Sequence, residues 1–192
     1  MPINRPTPND AKLKELILFI ASRSQDDPRF GSTKLNKLLF FADFLAYAKL
    51  GRAITGHPYF RLPNGPAPQA MVPIREEMIE ERSLAIQDRD HYGRNQKVPI
   101  ALREPDLTKF SAQEIAVVTD VLIAYRKDNA KALSELSHRF DGWKLAEDRE
   151  VIPYEVTLVR FKNPSEEDRE NALAMGAELA ALRMECEPHA DS

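Results

Sequence analysis

The fold is decided by residues 33–68, which read TKLNKLLFFADFLAYAKLGRAITGHPYFRLPNGPAP. Apolar side chains in its first half recur at helical spacing on two faces, which predicts a helix over about residues 33–50. A helix that is apolar on two sides must be packed on two sides, so we expect the other elements to surround it. The two faces are formed by Leu35, Leu38, Leu39, Ala42 and Leu45, and by Phe40, Phe41, Phe44, Tyr47 and Ala48.

The second half of this stretch is rich in residues that restrict or redirect the backbone. It holds four of the chain's fourteen prolines and three of its seven glycines. Residues 59–62 favour a short strand, and Pro63-Asn64-Gly65-Pro66 is typical of a turn. Such a composition predicts a rigid turn rather than a flexible tether.

The rest of the chain predicts a mainly α fold with a small antiparallel β-hairpin or three-stranded sheet. With 192 residues, we expect a single compact domain, 1–192, built around the central helix. Asn9 or Asp10 can cap the first helix, Ser32 or Thr33 the central helix, and Ser111 with Glu114 forms a capping-box pattern. The other predicted elements are helices over about 10–24, 68–83, 111–126, 128–138 and 165–185, and hairpin strands at 84–88 and 96–102.

Composition indicates a soluble cytoplasmic protein and disfavours two classes of partner. The net charge of −3 and the pI near 5.9 argue against a dedicated nucleic-acid binder, which would carry a basic patch. The single cysteine, Cys186, has no internal partner, and this fits a reducing compartment. The N-terminus has no signal-peptide core, and no apolar run is long enough to cross a membrane.

The sequence contains no pattern that predicts catalysis, a cofactor or a metal site. Gly51 to Gly56 has the spacing of a phosphate loop, but His57-Pro58 follows where Lys-Ser/Thr is required. Asp88, Asp90 and His91 are close potential metal ligands, but a polar hairpin tip is the favoured interpretation, because a metal site would need two or three ligands held rigidly. We therefore expect a protein that is not an enzyme, with no catalytic, cofactor-binding or metal-binding residues.

Three polar or amphipathic residues each allow two interpretations. Asp43 lies among aromatic side chains, where an unpaired carboxylate would be costly. It is either a buried carboxylate whose partners fix how neighbouring elements dock, or a polar group that binds a ligand in a groove. The first, structural interpretation is favoured, because buried charges are usually paired. His138 and Trp143 pose the same choice between core and interface.

Several segments resemble one known family in the same order along the chain. The run KLNKLLFFAD at 34–43 resembles the opening motif of the Panacea antitoxin domain, the SocA-like family. GR at 51–52 and ITG at 54–56 resemble the segment that follows it. Tyr59 with LPNGPAP at 62–68 resembles the family's Gly-Pro turn, and LSELSH at 133–138 with Trp143 resembles its closing helix and tryptophan. The resemblance covers about residues 33–145.

The resemblance implies an antitoxin from a prokaryote or phage that neutralises a cognate toxin by direct protein–protein binding. It also implies a compact, largely helical domain without enzymatic activity. Residues 146–192 would be a C-terminal extension that ends in a helix. The identity of the toxin and the oligomeric state, including a homo-oligomer, stay open.

The physical basis of such a function is an interface with aromatic or arginine anchors on a pre-ordered loop. The candidate partner-binding residues beside or within the rigid turn are Tyr59, Phe60, Arg61, Asn64, Gly65 and Pro66, and Trp143 is a further candidate. The alternative is that this turn only closes the domain over its core. Other function classes are a protease adaptor or regulatory interaction module and, less favoured, a DNA-binding transcriptional regulator with a basic face around Lys34, Lys37 and Arg52.

Overall fold

A computed structural model describes residues 6–91 and 94–158. The chain divides at Leu158 into two units, and the account below concerns the first. The predicted terminal helix at 165–185 and most of the predicted extension at 146–192 lie outside the described residues. The single-domain organisation of 1–192 therefore stays a prediction.

The described residues confirm the mainly α class with small antiparallel sheets. Helices alternate with short strands, and two 3₁₀ turns lie at Leu107–Lys109 and Tyr154–Leu158. The helices and strands, in chain order, are α1 (Asp10–Arg23), α2 (Ser32–Leu50), β1 (Tyr59–Phe60), β2 (Ala67–Pro68), α3 (Met71–Glu80), β3 (Leu84–His91), β4 (Arg94–Ala101), α4 (Ala112–Ala124), α5 (Ala130–His138), α6 (Asp141–Leu145) and β5 (Val151–Ile152).

Helix α2 is the centre of the fold, as its two apolar faces predict. It packs against α1, α4, α5, β2, β4 and the Tyr154–Leu158 turn. Both faces contribute to one hydrophobic core, which α1 also enters along almost its whole length. Burial of this apolar surface is the main favourable term in folding.

The strands form two separate antiparallel sheets. The three-stranded sheet has the order β2-β1-β5, with Tyr59 opposite both Pro68 and Ile152. The β3–β4 hairpin pairs Leu84 with Ala101 and Ile86 with Pro99, and it extends to His91 and Arg94, further than the sequence predicts.

Proline fits into the hairpin because of its register. The Leu102 N–H donates to the Ser83 carbonyl at 2.9 Å, so the pair that includes Pro99 falls at a non-hydrogen-bonded position of the ladder. The missing N–H of Pro99 therefore costs no hydrogen bond to β3.

Most predicted helix ends are confirmed, and two predictions are wrong. The third helix begins at Met71 and not near residue 68, because Pro68 pairs with Tyr59 as part of β2. The Asn9 side chain accepts from the Lys12 N–H, and the capping box between Ser111 and Glu114 is present. Gly51 ends α2 in the left-handed conformation. The cap predicted for α2 is absent, because the helix begins at Ser32 and the Ser32 hydroxyl donates to the Lys97 carbonyl instead.

None of the described helices is both long and apolar enough to cross a membrane.

Candidate functional site

A buried polar centre joins α2 to the segment that follows it. The Asp43 carboxylate accepts hydrogen bonds from the Thr55 N–H at 2.7 Å and the Tyr59 hydroxyl at 2.8 Å, and it also accepts from the Thr55 hydroxyl. Burial raises the pKa of the Asp43 carboxyl, while these donated hydrogen bonds oppose the rise. The side chain has no exposed surface, so the structural interpretation of Asp43 holds.

Two lysines of α2 are buried, which removes the basic face that a DNA-binding regulator would need. Lys34 and Lys37 are 2% and 1% exposed, so Arg52 alone of the three predicted cations lies at the surface. Lys34 pairs with Asp27 at 2.7 Å and donates to the Asp128 carbonyl at 2.6 Å. It thereby holds the junction between α4 and α5 against α2.

Lys37 has a different environment from Lys34. Its Nζ donates to the Pro66 carbonyl at 2.9 Å, and in the described part of the chain no carboxylate pairs with it. Burial lowers the pKa of Lys37 to about 7. Through this hydrogen bond, Lys37 holds the Gly65-Pro66 backbone against α2.

The turn above Lys37 is rigid. The Gly65 N–H donates to the Leu62 carbonyl at 2.8 Å, which closes a four-residue turn with Pro63 and Asn64 in the middle. The Ser134 hydroxyl on α5 donates to the Asn64 carbonyl at 2.8 Å. Helix α5 therefore fixes the turn from one side, while Lys37 fixes it from below.

Arg61, His138 and Trp143 stack together beside this turn, and with Asn64 they make up what we call the Arg61 surface. The Arg61 guanidinium carbon lies 4.2 Å from the centre of the Trp143 ring, and the His138 ring stacks on the indole at 3.9 Å. Arg61 Nε donates to the Trp143 carbonyl at 3.1 Å. Cation–π contact and this hydrogen bond together hold the guanidinium in one orientation.

The backbone beneath the Arg61 surface is equally constrained. The Arg61 N–H donates to the Glu150 carbonyl at 2.9 Å, and its own carbonyl accepts from the Arg149 N–H at 2.8 Å. The Trp143 Nε1–H is directed at the Leu62 carbonyl at 3.4 Å. Residues distant in sequence thus converge on one preformed patch.

The surroundings of His138 disfavour the protonated form of its imidazole. Burial lowers its pKa, the positive charges of Lys37 and Arg61 lower it further, and Glu135 opposes them. Among the described residues its Nε2 is buried without a hydrogen-bond partner. His138 is absent from the predicted partner-binding residues, although the sequence places it at the end of the family-like segment 133–138 and leaves it open between core and interface.

The structure separates the seven predicted partner-binding residues into two groups. Four reach the surface at least partly, and three are buried. The buried three shape the surface from within and offer no area for direct contact. The first group is Phe60, Arg61, Asn64 and Trp143, and the second is Tyr59, Gly65 and Pro66.

An apolar groove of about 380 Å³ lies between α2 and α4. Phe40, Phe41 and Phe44, which the sequence assigns to the core, line it together with Tyr125 and Phe140. These rings also contact one another at tilted or edge-to-face angles, with 4.3 Å between the centres of Phe40 and Phe44. The groove therefore belongs to the aromatic core and differs in chemistry from the Arg61 surface.

Among the described residues, no three His, Cys, Asp or Glu side chains lie close enough together to hold a metal ion.

Comparisons with known proteins confirm the resemblance. The family model described as antitoxin SocA-like, Panacea domain, matches residues 35–144, which is more than half of the chain and contains most of α2, the rigid turn and Trp143. A comparison with curated proteins and with solved structures found no match. The chain therefore belongs to the SocA-like antitoxin family with a Panacea domain.

Proposed function

We propose that this protein is an antitoxin that neutralises a partner toxin by direct binding and has no catalytic activity of its own. The observation that carries the proposal is the family match over residues 35–144, which includes most of the central helix and the rigid turn. The Arg61 surface is the candidate surface for binding the toxin. It presents an arginine and a tryptophan, two of the residue types that dominate binding energy at interfaces.

Pre-organisation supports this assignment of the surface. Ordering a loop and its side chains on binding costs free energy, and a loop already held in place avoids most of that cost. The turn at 62–65 is closed by its own hydrogen bond and is tied to Ser134, while Arg61 is held by Trp143. The surface can therefore bind with little rearrangement.

The proposal is tested with the protein encoded by the adjacent gene. We expect that protein to stop growth when it is expressed alone, and co-expression of the full chain to restore growth and to yield a co-purifying complex. A harmless neighbour that does not co-purify would contradict the proposal. If toxin levels fall through proteolysis and no stable complex forms, the protein is an adaptor and not a blocking antitoxin.

The surface is tested in the same assay with Arg61→Ala and Asn64→Ala. Both residues are at least partly exposed, so we expect weaker rescue and weaker co-purification with little change in melting temperature. Arg52→Ala is the matched control, because Arg52 is exposed and lies outside the Arg61 surface. Equal rescue by all three variants would remove the Arg61 surface from the binding site.

A further inference from the structure

Among the described residues, none pairs with the terminal nitrogens of the Arg61 guanidinium, which leaves them as the candidate ligand-binding part of this side chain. The Trp143 ring occupies one face of the guanidinium, and Nε is used by the Trp143 carbonyl at 3.1 Å. Within the described part of the chain, no carboxylate forms an ion pair with Arg61. The two terminal nitrogens present parallel N–H groups, a geometry that matches both oxygens of a carboxylate.

The charges around Arg61 favour an anion at this position. Lys37 lies close enough for its charge and that of Arg61 to act together on His138. Glu135 is the acidic group that acts on the same imidazole, and it is 61% exposed and 3.9 Å from Lys131. Among the described ion pairs, Glu135 is joined to Lys131 and not to Arg61, so Glu135 does not neutralise the Arg61 charge.

We propose that the Arg61 guanidinium is the docking point for an acidic segment of the partner protein, and that an Asp or Glu carboxylate of the partner pairs with its two terminal nitrogens. The inference rests on the proposed function and adds the chemistry of the partner's contact. A phosphate backbone is the less favoured ligand, because Lys34 and Lys37 are buried and the chain carries a net charge of −3.

The experiment measures binding of the full chain to the adjacent-gene product, for wild type and for Arg61→Ala, Arg61→Lys and Arg52→Ala. We expect Arg61→Ala to weaken binding about 10- to 100-fold and to reduce its salt dependence, as for loss of a well-placed arginine anchor. Arg61→Lys keeps the charge and loses the paired N–H geometry, so most of the loss should remain. Arg52→Ala should bind like wild type.

A charge swap identifies the carboxylate. Single Asp→Arg or Glu→Arg substitutions on the partner are each combined with Arg61→Glu, and we expect one combination to recover binding that both single variants lose. Thermal unfolding of each chain variant, checked beside the binding data, shows that it is folded.

The outcomes separate the two proposals. If wild type does not bind the neighbour protein, the proposed function fails and the docking point fails with it. If wild type binds and Arg61→Ala binds equally well, the docking point alone is wrong. Binding of Arg61→Lys at wild-type strength would overturn the paired geometry, and Arg61-dependent binding of a short DNA duplex would overturn the choice of a protein carboxylate.

Discussion

Glycine is required at position 65 for two independent reasons. The backbone there has φ of +85°, in the left-handed region that side chains disfavour. A Cβ added at this position would also lie 2.4 Å from Ser137 Oγ and 2.6 Å from Lys37 Cε. The turn thus lies directly against α2 and α5. A larger residue at position 65 would force the turn away from these helices.

Gly65→Ala is expected to destabilise the protein by about 3 kcal/mol, because backbone strain and overpacking add at this position. Gly51→Ala is the matched control. Gly51 has a similar φ of +71° and nothing within 4 Å of an added Cβ, so it should lose only about 1 kcal/mol. Denaturant unfolding measures both variants, and equal losses would show that contact with Lys37 and Ser137 does not matter.

The surroundings of a single residue were predictable only where they depend on residues close to it in sequence. Helical spacing correctly assigns Leu38 and Phe40 to the core, because both faces of α2 follow from the sequence itself. The burial of Tyr59 depends on a hydrogen bond to Asp43, sixteen residues away. The stacking of Arg61 on Trp143 joins residues 82 positions apart, and no local pattern encodes such a pairing.

At the scale of elements, Asp43 locks α2 to the segment that leads into β1. Its carboxylate satisfies three donors that belong to Thr55 and Tyr59. All of these groups are buried, so each donor would lack water if the acceptor were removed. One side chain therefore holds the docking geometry between a helix and a strand.

Asp43→Ala should lower the free energy of unfolding by at least about 3 kcal/mol, because buried unpaired donors cost about 1–3 kcal/mol each. Tyr59→Phe removes a single donor and should cost about 1 kcal/mol. Asp120→Ala is the control, since its pair with Lys49 is exposed on both sides and is expected to contribute little. A small loss for Asp43→Ala would contradict the proposed role of the carboxylate.

Element types were more predictable than element ends. The Ser111–Glu114 pattern correctly placed the start of α4, because both partners of a capping box lie within four residues. The hairpin continues beyond its predicted strands because backbone pairing does not require apolar side chains at the tip. The predicted cap of α2 was wrong because Ser32 donates to Lys97, a partner outside its helix.

At the scale of the whole molecule, the environment of Lys37 makes stability depend on pH. The pKa of Lys37 is about 7 in the folded protein, against an ordinary value of 10.5. Between these values the unfolded chain holds a proton that the folded protein has released. The folded state binds fewer protons there, so stability rises with pH through this window.

Lys37→Met is expected to flatten this dependence. Wild type should gain about 2 kcal/mol in unfolding free energy, relative to the variant, between pH 7 and pH 9. Urea unfolding at several pH values in this range measures the difference between the two curves. Parallel curves for wild type and Lys37→Met would show that Lys37 does not titrate in this window.

The fold class and the family were predictable from the sequence, while the exposure of the proposed binding residues was predictable only in part. The position of the rigid turn made Arg61 and Asn64 candidates for partner binding, but spacing could not show that Tyr59 and Gly65 face inward. Those directions are fixed by the buried groups Asp43 and Lys37. Asp43 and Lys37 both lie on α2, and the sequence pattern of α2 does not indicate which loop will cover each of them.

Because His138 stacks on Trp143, the fluorescence of Trp143 should report the protonation of His138. Trp143 is the only tryptophan in the chain, so it dominates the intrinsic emission under red-edge excitation. A protonated imidazole quenches an indole in contact with it, whereas a neutral imidazole does so much less. Because the pKa of His138 is lowered, the emission should stay bright through neutral pH and dim only in more acidic solution. The state of the Arg61 surface can therefore be followed by fluorescence without any added label.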